Sequence, residues 1–131
     1  MEKLSVLVVE DDPIMRELLK DMLYQAGASR ITDCEDAASA HACFAAEVFD
    51  IIMLDLGLPD ADGHQVMSAF KGANPQQHIV LVTADDSIES IQKAISAGAN
   101  GYVVKPYSLE KIQDVLNNFV MINGGRGDRM H

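Results

Sequence analysis

Short, wholly apolar runs that recur along the chain constrain its fold more than any other feature of the sequence. The stretches LSVLVV (4–9), IIML (51–54) and IVLV (79–82) are rich in β-branched residues and do not alternate with polar ones. Strands that are covered on both faces have this composition, whereas strands with one face in water alternate. Two shorter or more polar runs, RITDC (30–34) and GYVV (101–104), fit edge strands. The sequence therefore predicts five strands, three of them buried.

Segments with helical periodicity lie between these runs. Apolar residues recur at helical spacing at Ile14, Met15, Leu18, Leu19, Met22 and Leu23, then at Ile88, Ile91 and Ile95, and finally at Leu109, Ile112, Leu116 and Phe119. Strands that alternate with helices form βαβ units, which build a parallel sheet wrapped by helices, and 131 residues are too few for an eight-stranded barrel. We therefore expect one doubly wound α/β domain over residues 1–122, with residues 123–131 as a flexible tail or the start of a linker.

Charge and composition exclude several classes of function. Twenty acidic residues against ten basic ones give a net charge of −10, which argues against binding to nucleic acid or to an anionic membrane surface. The sequence has no secretory h-region and no apolar stretch of the ~20 residues that a membrane span needs, so we expect a cytoplasmic protein. Cys34 and Cys43 form no CxxC pair and have no histidine at ligand spacing, so we assign them no role.

Polar residues follow four of the five predicted strands at the point where each strand ends. The first strand is followed by Glu10, Asp11 and Asp12, the third by Asp55, the fourth by Thr83, and the fifth by Lys105 and Pro106. In doubly wound folds, ligands bind beyond the carboxyl ends of the strands, beside the point where the strand order reverses. The sequence therefore predicts that these side chains share one cleft.

Each of these residues also has a plain structural interpretation. Asp12 precedes Pro13 and fits a helix N-cap, and a lone aspartate after a strand, such as Asp55, is often a turn residue. Thr83 fits a cap of the next helix, and Lys105 fits a solvated surface charge. Grouped at one rim, however, several carboxylates would raise one another's pKa unless a cation neutralised them.

A hard divalent cation would resolve that conflict and suggests a chemistry. Mg²⁺ prefers oxygen ligands and commonly takes one or two carboxylates with a phosphate oxygen, and Glu10, Asp11 and Asp55 offer such carboxylates. A carboxylate also attacks phosphorus to form an acyl phosphate. We therefore predict phosphoryl transfer to Asp55 with Mg²⁺, or Mn²⁺ as a substitute. Lys105 would neutralise a second phosphoryl oxygen and Thr83 would donate a hydrogen bond to a third.

The chain resembles the receiver domain of two-component response regulators. The stretches VLVVEDDPIMRELL, DIIMLDLGLPDADG, VTA and GANGYVVKPY occur in that family's order and spacing and span about residues 4–122. The resemblance implies a flavodoxin-like (βα)₅ fold with strand order 2-1-3-4-5 and Asp55 as the phosphoacceptor. It also implies an acidic pair of Glu10 and Asp11, with Asp11 as the more direct metal ligand and the Gly57 carbonyl as a further one. The GYVVKPY segment looks most like that of single-domain chemotaxis-type regulators.

The same resemblance assigns roles at the last two strands and names the partners. It implies that Thr83 is the switch hydroxyl, that Tyr102 is the switch aromatic residue, and that Lys105 precedes a cis peptide bond to Pro106. The phosphoryl donor would be a histidine kinase or a histidine phosphotransfer protein, and the receiver would control an output domain or a target protein. Such a receiver catalyses its own phosphotransfer and autodephosphorylation without being an enzyme of steady turnover.

The last predicted helix carries a broad apolar surface. On a helical wheel, its apolar residues, with Val115 and Ile122 among them, span roughly 160°, which is wider than the ~100° stripe that packing on one sheet face requires. One interpretation is that the helix wraps the sheet. The other is a face for a target or for a phosphorylation-dependent homodimer, which includes Val115 and Ile122.

Three other classes of function compete with the phosphoacceptor hypothesis. A flavodoxin-like FMN carrier would share the topology, but three acids in its first loop would repel a phosphate. A phosphatase of the haloacid dehalogenase type would share the aspartyl chemistry, yet its DxD motif belongs on the first strand. A degenerate receiver would bind partners without being phosphorylated, and the complete set of acids, threonine and lysine argues against it.

Overall fold

The computed structural model describes residues 4–128, with side chains described as far as residue 123. Strands and helices alternate strictly along these residues. The strands are β1 (Ser5–Val9), β2 (Arg30–Cys34), β3 (Ile51–Asp55), β4 (His78–Thr83) and β5 (Gly101–Val104). The helices are α1 (Pro13–Ala26), α2 (Ala37–Ala46), α3 (Gly63–Ala73), α4 (Ile88–Ser96) and α5 (Leu109–Asp128).

The strands form one parallel sheet in the order β2-β1-β3-β4-β5. This confirms the predicted doubly wound fold and its strand order. β3 is buried along its whole length, as its unbroken apolar run predicts. None of the helices among residues 4–128 is both long enough and apolar enough to cross a bilayer.

The two faces of the sheet carry separate hydrophobic cores. On one face, α1 and α5 pack through residues such as Leu19, Leu23, Ile112 and Leu116 against alternate residues of the strands. On the other face, α2, α3 and α4 pack against the remaining strand residues, with Phe70 of α3 fully buried. Side chains of successive strand residues point to opposite faces, so one apolar run supplies both cores.

α1 begins at a cap that the sequence predicts, and α5 extends to the last described residue. The side chain of Asp12 accepts hydrogen bonds from the backbone N–H groups of Ile14 and Met15, which confirms the predicted cap of α1. At the other end of the chain, the backbone of α5 is helical to Asp128. Residues 129–131 of the expected tail lie outside the described residues.

Candidate functional site

The register of the sheet brings the predicted acidic residues together at one edge. Val9 of β1 pairs with Leu54 of β3, so the residues that follow them, Glu10 and Asp55, lie side by side. The strand order reverses between β1 and β3, where doubly wound folds bind ligands. Both carboxylates are nearly inaccessible to solvent, with 1% of Glu10 and 4% of Asp55 exposed.

Asp55 is held by a donor on each of its two oxygens. The Lys105 ammonium lies 3.1 Å from Oδ2, and the Gly57 backbone N–H donates to Oδ1 over 2.9 Å. The start of α3 lies close to the backbone of Asp55, because a Cβ atom built on Gly63 would lie only 2.8 Å from the Asp55 carbonyl oxygen. A glycine at this position therefore lets α3 begin directly against the end of β3.

Glu10 has three donors, which its burial requires. Its Oε1 accepts from the Tyr107 hydroxyl at 2.8 Å and lies 3.0 Å from the Lys105 ammonium, and its Oε2 accepts from the Asp12 N–H at 3.2 Å. Burial raises the pKa of Glu10, and the nearby Asp55 carboxylate adds to the effect. The hydrogen bonds from Lys105 and Tyr107 act in the opposite direction and favour the charged form.

Asp11 completes an acidic cluster that opens to solvent. One carboxylate oxygen from each of Glu10, Asp11 and Asp55 can be chosen so that all three lie within 4.8 Å of one another, and Asp11 is exposed whereas the other two are buried. Hard oxygen donors at this spacing, reachable from water, fit the ligand preferences of Mg²⁺. Gly57 adjoins the cluster, since a Cβ atom built on it would lie 3.8 Å from Asp55 Oδ1.

Lys105 links the two buried carboxylates. It follows β5, and the peptide bond between it and Pro106 is cis, as the family resemblance suggested. Burial alone would lower the pKa of Lys105, but the hydrogen bond to Glu10 and the charge of Asp55 outweigh burial and raise the pKa. The ammonium therefore stays charged and offsets part of the negative charge of the pair.

Thr83 and Tyr102 both contact the loop between β4 and α4. The Thr83 Oγ1 accepts from the Asp85 N–H at 3.2 Å, and the Tyr102 hydroxyl donates to the Asp85 carbonyl oxygen at 2.7 Å. The Asp85 side chain in turn accepts from the Ser87 N–H at 2.9 Å and from the Ser90 hydroxyl at 2.5 Å. One aspartate thus connects the predicted switch hydroxyl, the predicted switch aromatic residue and the first turn of α4.

Sequence reasoning missed two residues of this region. It gave no role to Tyr107, whose hydroxyl reaches Glu10 across 97 positions of the chain. It also missed Asp60, whose carboxylate accepts from the N–H groups of Ala37 and Ala38 and so ties the loop after β3 to the start of α2. The one signal for Tyr107 was a hydroxyl-bearing aromatic residue two positions beyond Lys105, at the predicted rim.

The remaining residues singled out in the sequence lie away from this cluster. Val115 is half-buried and packs against the core that α1 and α5 share, whereas Ile122 is about half exposed, at 48%. Burial raises the pKa of the Cys34 thiol to about 12, so this thiol is a poor nucleophile at neutral pH.

Comparison with known proteins identifies the family. Residues 6–117 match the sequence model of the family described as "Response regulator receiver domain". The chain is 34% identical over 122 residues to the transcriptional regulatory protein PhoP of Escherichia coli K12, covering 93% of this chain and 54% of PhoP. The chain therefore belongs to the receiver domains of two-component response regulators.

Solved structures of other response regulators have the same fold. The response regulator DrrB, a Thermotoga maritima OmpR/PhoB homologue, superposes with a TM-score of 0.83 at 25% identity, covering 93% of this chain and 54% of that one. The chemotaxis response regulator CheY4 of Vibrio cholerae gives a TM-score of 0.82 at 26% identity, covering 90% and 99%. The chain spans about half the length of the curated relatives it matches.

Proposed function

We propose that this receiver accepts a phosphoryl group on Asp55 from a phosphohistidine of a kinase or a histidine phosphotransfer protein. The observation that carries the proposal is the environment of Asp55, which is buried at the rim, bonded to Lys105, and clustered with Glu10 and Asp11. In the transfer, one Asp55 oxygen forms a bond to phosphorus while the phosphorus–nitrogen bond breaks. The electron pair of that bond leaves with the imidazole.

The residues around Asp55 prepare it for this attack. Lys105 lies 3.1 Å from the Asp55 carboxylate, so its charge is already placed where a phosphoryl oxygen would need neutralisation. The Gly57 N–H fixes the other carboxylate oxygen and orients the nucleophile. Transfer of a phosphoryl group depends mainly on such positioning and charge neutralisation.

Glu10, Asp11, Asp55 and the carbonyl of Gly57 are the proposed ligands of a divalent cation, Mg²⁺ or Mn²⁺. Bound there, the cation would neutralise charge that develops on the phosphoryl oxygens. Without a cation, two buried carboxylates and one exposed carboxylate face a single ammonium group and repel an anionic phosphoryl donor.

Thr83 is the proposed link between phosphorylation and conformation. Its hydroxyl oxygen now accepts from the Asp85 N–H, and a hydrogen bond donated to a phosphoryl oxygen would draw this hydroxyl toward Asp55. The contact exists only in the phosphorylated state, so it shifts the equilibrium of the loop that Tyr102 holds through Asp85. An output domain or a target protein would read this change in the cytoplasm.

Mass measurement of the intact protein tests the proposal. With acetyl phosphate and Mg²⁺, the chain should gain one phosphoryl group, and EDTA or Asp55→Asn should prevent the gain. Asp62→Asn is the matched control, because Asp62 lies on the same loop and Asn caps a helix as well as Asp does. Single-site labelling that persists in Asp55→Asn would overturn the assignment. Steady turnover of a phosphomonoester would instead favour the phosphatase alternative.

A further inference from the structure

The Tyr107 hydroxyl is buried and has a charged acceptor. Tyr107 is 6% exposed, its ring belongs to the core between the sheet and the α1 and α5 helices, and its hydroxyl donates to Glu10 Oε1 at 2.8 Å. Phenylalanine would fill the same space in the core. The hydroxyl is therefore the part of the side chain that packing does not explain, and it binds the acidic cluster.

Glu10 receives two kinds of donor on the same oxygen. The Lys105 ammonium, 3.0 Å from Oε1, carries a positive charge, and it also lies 3.1 Å from Asp55. A divalent cation that shares these carboxylates repels this ammonium. The Tyr107 hydroxyl is neutral, so it continues to hold the Glu10 carboxylate without opposing a cation.

We propose that Tyr107 is a positioning residue of the divalent cation site, whose hydroxyl fixes the Glu10 carboxylate for cation binding. The inference rests on the proposed function, because it requires that Glu10 serve a bound cation. The hydroxyl acts on one Glu10 oxygen while the Asp12 N–H fixes the other, so both oxygens are oriented from outside the cluster. Donors to metal-binding carboxylates orient these ligands in the same way in other proteins.

Titration with Mg²⁺ tests the inference in Tyr107→Phe. The amide NMR signals of Asp12 and Gly57 report on the two carboxylates that these groups contact. We expect Mg²⁺ affinity to fall by about tenfold, the usual lower bound for loss of such a partner. Tyr24→Phe is the control, because Tyr24 lies half exposed on α1, and this variant should bind as the wild type does.

The outcomes separate this inference from the proposed function. If the wild type shows no Mg²⁺-dependent shifts, the proposed function fails. If the wild type binds Mg²⁺ and Tyr107→Phe binds it equally well, only the inference fails. A second test uses the wild type and so does not depend on whether Tyr107→Phe folds. In the wild type, the Tyr107 ring signals should shift during the Mg²⁺ titration. Ring signals that stay constant while the cation binds would overturn the inference.

Discussion

At the scale of single residues, the acidic site contains more negative than positive charge. Lys105 contacts both Glu10 and Asp55, and the exposed Asp11 adds a third carboxylate to the cluster. One ammonium cannot neutralise three carboxylates, so an incoming cation gains favourable energy from charges that the fold already holds in place. This excess of negative charge supports the proposal that a divalent cation binds here.

Gly63 offers a test of how closely the site is packed. A Cβ atom at this position would lie 2.6 Å from Leu56 Cα and 2.8 Å from the Asp55 carbonyl oxygen, and backbone atoms cannot yield as a flexible side chain does. We expect Gly63→Ala to lower the free energy of unfolding by roughly 1–3 kcal/mol, the usual cost of overpacking. Urea denaturation measures the change.

Gly72 in the same helix provides the matched control. A Cβ atom there meets nothing within 4 Å, so Gly72→Ala should leave the free energy of unfolding unchanged or raise it by up to about 1 kcal/mol. Equal stability of the two alanine variants would show that the end of β3 and the start of α3 are not packed as described.

Residues that follow buried strands could be predicted, and their partners from distant segments could not. Glu10, Asp55 and Lys105 interrupt or end apolar runs, so the sequence itself marks them. Nothing local marks the contact of Tyr107 with Glu10, which joins positions 97 residues apart, or that of Asp60 with Ala37, which joins positions 23 apart. Such contacts depend on the register of the sheet and the placement of loops.

At the scale of elements, the loop between β4 and α4 connects the site to a surface. Thr83 ends β4, Asp85 binds both Thr83 and Tyr102, and Ser90 of α4 donates to the Asp85 carboxylate. We therefore expect a change at Thr83 to alter the contacts of α4 and β5 together. The exposed Ile88 of α4 lies beside this loop and would move with it.

Replacement of Thr83 tests this connection. Thr83→Ala should still accept a phosphoryl group on Asp55, but the amide signals of residues 84–87 and the Tyr102 ring signals should no longer respond as they do in the wild type. Thr83→Ser keeps the hydroxyl and should retain the response. Phosphorylation-dependent shifts in Thr83→Ala that match those of the wild type would remove Thr83 as the link.

Helical periodicity located three of the five helices among residues 4–128. α1, α4 and α5 were located because their apolar residues recur at helical spacing. α3 was not located, although its Val66, Met67 and Phe70 also recur at helical spacing. α2, AASAHACFAA, consists mostly of small residues and shows no amphipathic pattern. Its position is instead fixed by caps from Asp36 and, across the fold, from Asp60. A pattern of one segment cannot report a cap that another segment supplies.

At the scale of the whole molecule, the two cores pack helices against both faces of the sheet. His78, the first residue of β4, is 5% exposed and packs edge-on against Phe119 of α5. Burial, aided by the charge of Lys71, lowers the pKa of His78 to about 4. The folded domain therefore keeps this histidine neutral at pH values where the unfolded chain protonates it.

Stability should therefore fall as the pH decreases from 6.5 toward 4. As the pH falls, His78 is protonated in the unfolded chain before it is protonated in the folded domain, so protonation favours unfolding. This effect should lower the free energy of unfolding by about 2 kcal/mol at pH 5 relative to pH 7. His78→Phe removes this contribution. Between pH 7 and pH 5, the free energy of unfolding of the variant should therefore fall by about 2 kcal/mol less than that of the wild type. Urea denaturation at both pH values measures the difference. If the free energy of unfolding depended on pH identically in the wild type and in His78→Phe, the lowered pKa of His78 would be contradicted.

The central claim is that Asp55 forms an acyl phosphate, and chemical trapping tests it most directly. Borohydride reduces an aspartyl phosphate to homoserine, so the protein is treated with acetyl phosphate and Mg²⁺, reduced, digested and sequenced by mass spectrometry. The account predicts homoserine at position 55 alone, and none when EDTA is present. Homoserine at position 11 or 12 with aspartate unchanged at position 55 would contradict it.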